Sequence, residues 1–183
     1  MDTKIKKFLD SNRIKYEVIK HRKVYTAFNS AETQHASVKH VVKTVFVKFP
    51  RPVMLLADGD KVDGALVCVP AGKRVDLKKI AKSINDLQAT NYKLLAKKDL
   101  KTKKPAKITA KLANEKDIIK RLKTKVGLIS PFGQVFGLPV LLDKKLIANK
   151  KLIVSAGSYT ESLEISAKDY IKIAKPIMGN YTE

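Results

Sequence analysis

The chain has 183 residues, of which 38 are Lys or Arg and 17 are Asp or Glu, so its formal net charge is +21. This length suits one domain with a single core. The charge favours a polyanionic partner such as nucleic acid over a small neutral substrate, with the general basicity of a lysine-rich proteome as the alternative explanation.

Cys68 is the only cysteine, which excludes an intrachain disulfide and fits a reducing cytoplasm. Its neighbours in ALVCVP are apolar and typical of a strand, so they favour a buried structural thiol over a nucleophile. No segment of the sequence has the apolar length that crossing a bilayer requires. We therefore expect a cytoplasmic protein with no membrane partner.

Hydrophobic spacing in the first half of the chain predicts helices and strands in mixed order. Ile5, Phe8 and Leu9 share one face of a helix, whereas YEVIK alternates as a strand does. The runs VMLLAD and GALVCVP flank a turn-rich segment and predict an antiparallel hairpin. In chain order we predict a helix over 3–12, a strand over 16–20, a helix from Thr26 to about His35, a strand over 41–49 and hairpin strands over 53–58 and 64–70.

The second half continues the mixed order. A helix over 76–84 has one apolar face and one lysine-rich face, and Asn114 with Asp117 resembles a capping arrangement for a helix through about Leu122. The remaining predicted elements are a short strand over 107–111, strands over 138–142, 151–156 and 162–165, and a helix over 167–174. This order predicts an α+β fold with a mostly antiparallel sheet.

Lys43 lies in the run VVKTVFVKF, which otherwise reads as a buried strand. Because side chains alternate along a strand, Lys43 shares a face with Val41, Val45 and Val47. An isolated ammonium is strongly disfavoured in apolar surroundings, so this lysine must reach water, bind an anion or line a cavity that receives one. The sequence alone leaves a surface lysine and a functional lysine both open.

A basic segment follows the predicted helix that ends near Asn85. Residues 97–107, KKDLKTKKPAK, hold six lysines and one aspartate, and Pro105 excludes a continuous helix through them. Such a run is typical of a solvated loop, and the alternative is a basic arm that contacts the backbone of RNA or DNA.

The segment GLISPFGQVFGLPVLLD, residues 127–143, combines three glycines and two prolines directly before a strand. Such a loop has a fixed, unusual path, and its amides can bind an oxyanion, a phosphate oxygen or a ribose oxygen. A tight connection between helix and strand is the alternative. Asp143, at the end of the strand, fits either a pocket or the cap of a short helix, and SAGS at 155–158 forms another small-residue turn.

Eight motifs in order carry a family resemblance. They are YEVIKH, VYTA, VVKTVFVKF, KRVDLKKIAK, KLANEKDII, GLISPFG, GLPVLLD, and SAGS followed by SLEIS. Together they resemble the YbaK/ProX family of aminoacyl-tRNA deacylases, relatives of the editing domain of bacterial prolyl-tRNA synthetase. The match runs from about residue 4 to 174, within a single domain over 1–183, and a lysine-rich insertion at about 87–107 interrupts it.

The resemblance implies a mixed, mostly antiparallel, curved sheet flanked by helices. It also implies hydrolysis of the ester between transfer RNA and a wrongly attached amino acid, with water as the nucleophile and no metal or cofactor. The expected substrate is tRNA(Pro) carrying a small non-cognate amino acid such as alanine, cysteine or serine. The expected partners are the tRNA acceptor end and, less directly, prolyl-tRNA synthetase.

The resemblance also assigns site residues. Lys43 matches the family's active-site lysine, which we interpret as an electrostatic anchor because a solvated lysine is protonated at neutral pH. The loop at the acceptor end is matched by the run Gly127, Leu128, Ile129, Ser130, Pro131. The residues that it leads us to expect in or beside the pocket are Thr44, Asp143, Gly157 and His21. Separately, the charge of the lysine-rich insertion leads us to expect that Lys101, Lys103 and Lys104 contact the tRNA backbone.

Two departures leave the amino acid open. The cysteine-specific branch has a tyrosine two places before the histidine that matches His21, where this chain has Ile19. The alanine-specific branch follows the lysine with asparagine, where this chain has Thr44. The alternative function is a non-catalytic RNA-binding or regulatory module on the same fold.

Overall fold

The computed structural model describes residues 1–34, 36–55, 61–96 and 104–183. The helices are α1 (Thr3–Ser11), α2 (Ala27–Thr33), α3 (Leu77–Ala96), α4 (Glu115–Leu122) and α5 (Ala167–Ala174). The strands are β1 (Tyr16–Lys20), β2 (Val42–Met54), β3 (Lys61–Pro70), β4 (Lys111–Leu112), β5 (Val140–Asp143), β6 (Lys151–Ser155), β7 (Glu161–Ser166) and β8 (Ile177–Gly179).

The strands form two sheets, with orders β1-β7-β6 and β4-β2-β3-β5-β8. Strand β5 pairs in parallel with β3 and β8, and the other pairings among the named strands are antiparallel. An isolated parallel bridge between Val41 and Ile153 joins the sheets at one point. The predicted α+β class with mostly antiparallel pairing is therefore confirmed, and the sheet is divided in two.

Local side-chain hydrogen bonds set several helix boundaries. The Thr26 hydroxyl accepts from the Asn29 amide at 3.1 Å and begins α2. Asn114 and Asp117 form a reciprocal capping box at the start of α4. Such caps satisfy amides that have no partner within the helix. Both caps were predicted from the sequence, and both are confirmed.

Strand β2 differs from its prediction as two separate strands. It continues from Val42 to Met54, with a shift in its pairing to β3 between Lys48 and Val53. The shift spans Pro50 and Pro52, which have no N–H to donate to a sheet. The chain therefore stays extended while the ladder is interrupted. Residues 56–60, at the predicted hairpin turn, lie outside the described residues.

Helix α3 is longer than predicted. It passes Asn85 and ends at Ala96, because its buried face continues from Ile80 and Ile84 to Gln88 at helical spacing. Residues 87–96 of the expected insertion are thus helical. The predicted strand over 107–111 is reduced to β4, because the Asn85 side chain bonds both the amide and the carbonyl of Ile108 in place of a neighbouring strand.

Two apolar clusters lie on the two sides of β2. Val47 and Val67 pack with Ile80 and Ile84 of α3, whereas Val42 packs with residues of α1, α5 and the smaller sheet. The alternation expected for β2 is therefore realised. Lys43 lies on the α3 side, at the end of the strand where this packing stops.

Candidate active site

A cavity of about 220 Å³ lies between β2 and β6. Two further segments close it: residues 21–30, which connect β1 to α2 and include the start of α2 and are called the amino-terminal arm here, and the loop over 126–129. Sequence-predicted site residues that line this cavity are His21, Lys43, Thr44, Gly127 and Ile129. The fold therefore gathers segments that are more than 80 positions apart in the sequence.

The cavity exists because two neighbouring strands separate. At the bridge between Val41 and Ile153, the Ile153 amide donates to the carbonyl of His40 at 3.0 Å. Farther along β2, the Phe46 carbonyl accepts from the Ala113 amide at 2.9 Å, on the side of the strand away from β3. Thr44 lies two residues before Phe46, so its N–H and C=O point to the same side, where the cavity is.

Lys43 is half-buried and lines the cavity near the start of β2. Its ammonium donates to the main-chain carbonyl of Lys73, in the turn after β3. Burial, and then the positive charge of Arg74, lower the pKa of Lys43 from its ordinary value. Because an ammonium carries three N–H donors, the contact with Lys73 leaves two for oxygens of a ligand.

A line of buried polar groups connects β2 to the end of the Gly127 to Pro131 loop. The Thr44 hydroxyl lies 3.8 Å from the Cys68 sulfur, which lies 3.7 Å from the Tyr170 hydroxyl. The Tyr170 hydroxyl donates to the Pro131 carbonyl at 3.1 Å. Burial raises the pKa of the Cys68 thiol to about 11 and that of Tyr170 well above its ordinary value. Both groups are therefore neutral hydrogen-bond donors.

Gly127 enters the loop in a conformation that a side chain cannot share. Its φ is +83°, and a Cβ atom there would lie 2.4 Å from the Tyr25 carbonyl oxygen. The absence of a side chain lets the loop approach the amino-terminal arm closely. Gly127 thus closes one wall of the cavity, and this requirement explains the glycine that the sequence places there.

The rest of the predicted loop differs in its surroundings from residue to residue. Ile129 lines the cavity, whereas Leu128, Ser130 and Pro131 do not. The Leu128 amide donates to the Lys125 carbonyl at 3.1 Å. The Ser130 hydroxyl is fully buried and has no hydrogen-bond partner among the described residues. The predicted binding of a ligand by this loop is therefore centred on Gly127 and Ile129.

The exposed ring of Tyr25 forms the mouth of the cavity, and the Tyr159 ring packs beside it. Tyr25 is 57% exposed, and its ring centroid lies 4.9 Å from that of Tyr159. The Lys23 ammonium lies 5.4 Å from the Tyr25 ring centroid, and the Tyr159 hydroxyl donates to the Val126 carbonyl at 3.2 Å. Single tyrosines carry no sequence signal of this pairing, so the sequence did not predict it.

His21 belongs to a polar cluster in the cavity wall. Its Nε2 lies 3.0 Å from the Ser162 hydroxyl, and its Nδ1 lies 2.9 Å from the Arg22 carbonyl. The Ser30 hydroxyl lies 3.4 Å from that of Ser162, and the Gln34 side-chain amide donates to both serines. Ser30 and Ser162 were not predicted, because an isolated serine has no characteristic spacing.

Asp143 and Gly157 do not line this cavity, contrary to the expectation from the resemblance. The buried Asp143 carboxylate accepts from the amides of Lys145 at 2.9 Å and Tyr181 at 2.8 Å. It therefore caps a short 3₁₀ turn and anchors the carboxy-terminal segment. Gly157 contacts α1, since a Cβ atom there would lie 2.7 Å from the Asp2 Cβ.

The other predicted positions give less information. Lys104 is exposed, whereas Lys101, Lys103 and His35 lie outside the described residues.

In the described ranges, no three His, Cys, Asp or Glu side chains are grouped so that they could hold a metal ion. Among the helices that the structure describes, none combines the length and apolar character needed to cross a membrane.

Comparisons with known proteins agree on one family. The family model for the aminoacyl-tRNA editing domain matches residues 21–173. The chain is 23% identical over 171 residues to the prolyl-tRNA editing protein ProX of Acetoanaerobium sticklandii, covering 91% of this chain and 86% of that protein.

Solved structures show the same fold. A candidate trans-editing enzyme for prolyl-tRNA synthetase superposes with a TM-score of 0.69 at 16% identity, covering 100% of this chain and 99% of the other. The crystal structure of a hypothetical protein superposes with a TM-score of 0.70 at 17% identity, covering 98% of this chain and 99% of the other. The predicted family is confirmed, and with it the class of enzyme: the chain belongs to the aminoacyl-tRNA editing domain family of deacylases.

Proposed function

We propose that this protein acts in trans on tRNA(Pro) carrying a small non-cognate amino acid and releases that amino acid by hydrolysis. The observation that carries the proposal is the cavity that unites Lys43, Thr44, His21 and Gly127 in a chain of this family. The names of the relatives, a prolyl-tRNA editing protein and a candidate trans-editing enzyme, support the choice of tRNA. The cavity volume of about 220 Å³ is below the 300–1,000 Å³ that is usual for sites of drug-sized ligands, and it suits a small aminoacyl group.

Lys43 would act as the charged anchor. Two of its N–H donors remain for the ester carbonyl or the terminal phosphate after the contact with Lys73. Exposed Lys73 and Arg74 add positive charge on the same side of the cavity. Positive charge aimed at developing negative charge is a large source of catalysis where water is excluded. The anchor therefore serves both binding and the transition state.

The main chain would supply the second element. The Thr44 N–H faces the cavity on the unpaired side of β2, where it can donate to the oxyanion that forms at the ester carbon. Water attacks that carbon, the bond from the carbon to the ribose oxygen breaks, and the proton of the attacking water passes to the ribose oxygen. The products are the free amino acid and uncharged tRNA. An aminoacyl ester is labile, so positioning and charge are sufficient.

The aromatic mouth would hold the terminal adenosine. Every nucleobase has a face that stacks on an aromatic ring, and such stacking contributes about 1–3 kcal/mol per base. Tyr25 is exposed beside the cavity, with Tyr159 and Lys23 next to it. An adenine on Tyr25 would direct its ribose toward Gly127. This arrangement assigns the base to the mouth and the amino acid to the cavity.

The lysine-rich segment at about 87–107 would contact the tRNA backbone through Lys101, Lys103 and Lys104. Replacing these three lysines by glutamine should weaken tRNA binding and flatten its dependence on salt, because fewer counterions are released. Unchanged affinity across a salt titration would exclude the segment as a binding arm.

Because charged tRNA is used in translation, we place the protein in the cytoplasm. Co-purification with prolyl-tRNA synthetase tests a stable complex.

The test of the function is a deacylation panel. The protein is incubated with tRNA(Pro) charged with alanine, cysteine, serine or proline, and the release of each amino acid is compared with buffer. Lys43→Ala should lower kcat/KM by about 100-fold for the hydrolysed ester. Lys168→Ala removes the same charge from the exposed face of α5 and is the matched control. No release above buffer from any ester would favour a non-catalytic RNA-binding module instead.

A further inference from the structure

The polar cluster around Ser162 has a defined direction of hydrogen bonding. The Arg22 carbonyl can only accept, so Nδ1 of His21 carries a hydrogen and donates to it. In the neutral ring Nε2 then accepts, and the Ser162 hydroxyl donates to it across 3.0 Å. The tautomer of His21 thus fixes the orientation of a hydroxyl in the cavity wall.

The remaining donors follow from that orientation. Because the Ser162 hydrogen is used by His21, Ser30 must be the donor in the contact between the two hydroxyls at 3.4 Å. The Gln34 amide nitrogen uses its two hydrogens on Ser30 and Ser162, the latter at 3.2 Å. Every side-chain donor in the cluster is therefore directed at another member, except Nδ1 of His21, which donates to the Arg22 carbonyl. What the cluster offers to a ligand is an acceptor.

Two acceptors are incompletely used. Ser30 accepts one hydrogen bond and has a second lone pair, and its residue lines the cavity. The Gln34 Oε1 is buried and has no partner among the described residues. Of the two, Ser30 is the one that lines the cavity, so a ligand that brings a donor to its free lone pair gains a hydrogen bond that other ligands do not make. The lining also includes the apolar side chains of Val41, Val42 and Ile153, which add no hydrogen-bonding groups of their own to the site.

We propose that His21, Ser30, Gln34 and Ser162 form a side-chain subsite that binds the hydroxyl of a seryl or threonyl group. This inference rests on the proposed deacylase function and adds the chemical class of the amino acid. The ligand hydroxyl donates to Ser30, whose own hydroxyl is held by Ser162. An alanyl group, which has no hydroxyl, leaves this Ser30 acceptor unpaired and binds less well in the transition state.

Two comparisons with the same tRNA test the subsite. Seryl and alanyl esters differ by one hydroxyl, and threonyl and 2-aminobutyryl esters differ in the same way. We expect kcat/KM to be higher for the hydroxyl-bearing member of each pair by on the order of tenfold, the effect of one or two hydrogen bonds. Ser30→Ala and Gln34→Leu should each reduce this ratio to within about twofold. Asn29→Ala, at an exposed position on the same helix, should leave the ratio unchanged.

A binding measurement on the unaltered protein supports the kinetics. Non-hydrolysable 3′-amide analogues of seryl-adenosine and alanyl-adenosine are titrated, and the seryl analogue should bind more tightly by a similar factor. If the protein hydrolyses the esters with no preference for a hydroxyl, or prefers one equally after Ser30→Ala and Gln34→Leu, the subsite is refuted while the deacylase function stands. If no ester is hydrolysed, the proposed function fails and the subsite fails with it.

Discussion

Tyr170→Phe removes one oxygen from the interior, and its effect can be estimated from the contacts of that oxygen. Tyr170 has no exposed surface, and its hydroxyl donates to the Pro131 carbonyl at 3.1 Å. The substitution leaves that carbonyl buried without a donor, which costs about 1–3 kcal/mol of the free energy of unfolding. For a chain of this size, such a loss lowers Tm by roughly 2–12 °C.

The same substitution should lower activity at temperatures where the variant is folded. Pro131 ends the loop that begins at Gly127, so a free carbonyl allows the loop to move relative to β2. A displacement of about 1 Å near reacting atoms can reduce the rate by about 100-fold, so we expect kcat/KM to fall by at least about tenfold. The fall should be similar for every ester, because the proposed contact of Gly127 is with the ribose, which all esters share.

Urea unfolding followed by circular dichroism, together with the deacylation assay, measures both effects. Tyr16→Phe is the matched control, because its hydroxyl donates at 3.1 Å to Asp10 in an exposed contact. The control should change the free energy of unfolding by less than about 0.5 kcal/mol. If Tyr170→Phe is as stable and as active as the control, the hydroxyl does not hold the loop, and the connection from β2 through Cys68 has no role.

Three further predictions concern the loop, the mouth and the core. Gly127→Ala should reduce kcat/KM and stability more than Gly137→Ala, since both glycines have positive φ but only Gly127 would place a Cβ against a carbonyl; equal effects would assign the cost to φ alone. Tyr25→Ala should raise KM by about 5- to 150-fold with little change in kcat, whereas Tyr25→Phe should not, if an adenine stacks there. The free energy of unfolding should fall as pH rises from about 9 to about 11, because the pKa of Cys68 is raised from 9.0 to about 11 in the folded protein. Cys68→Ala should remove up to about 3 kcal/mol of this pH dependence. The same pH dependence of stability in Cys68→Ala and in the unaltered protein would contradict this prediction.

Local signals predicted the elements that local chemistry controls. The capping box of Asn114 and Asp117 and the Thr26 cap lie within three or four residues of the amides they satisfy, so the sequence shows them directly. The full length of α3 was not predicted, because its buried face continues through a polar residue, Gln88, that a search for apolar spacing does not mark. The three-residue strand β8 was missed because it is defined by its pairing to β5, which is distant in the sequence.

The site divides in a similar way. Lys43 was recognisable because an ammonium conflicts with the apolar pattern around it, and Gly127 because glycine and proline restrict the chain. Asp143 was placed in the pocket by resemblance, although the sequence also allowed a cap, and the cap is what its contacts show. Ser30 and Ser162 are 132 positions apart, and no pattern connects them before the fold does.

The separation of β2 from β6 has a consequence for how this site can evolve. The cavity side of Thr44 is formed by the peptide group, which no substitution removes, whereas Ser30 and Ser162 contribute through side chains that a single mutation replaces. In the proposed mechanism, the contribution of the Thr44 amide is thus inherited with the path of the strand, whereas Lys43 and the residues proposed to select the amino acid act through exchangeable side chains. We therefore expect substitutions at Ser30 or Ser162 to change the preferred amino acid without abolishing hydrolysis.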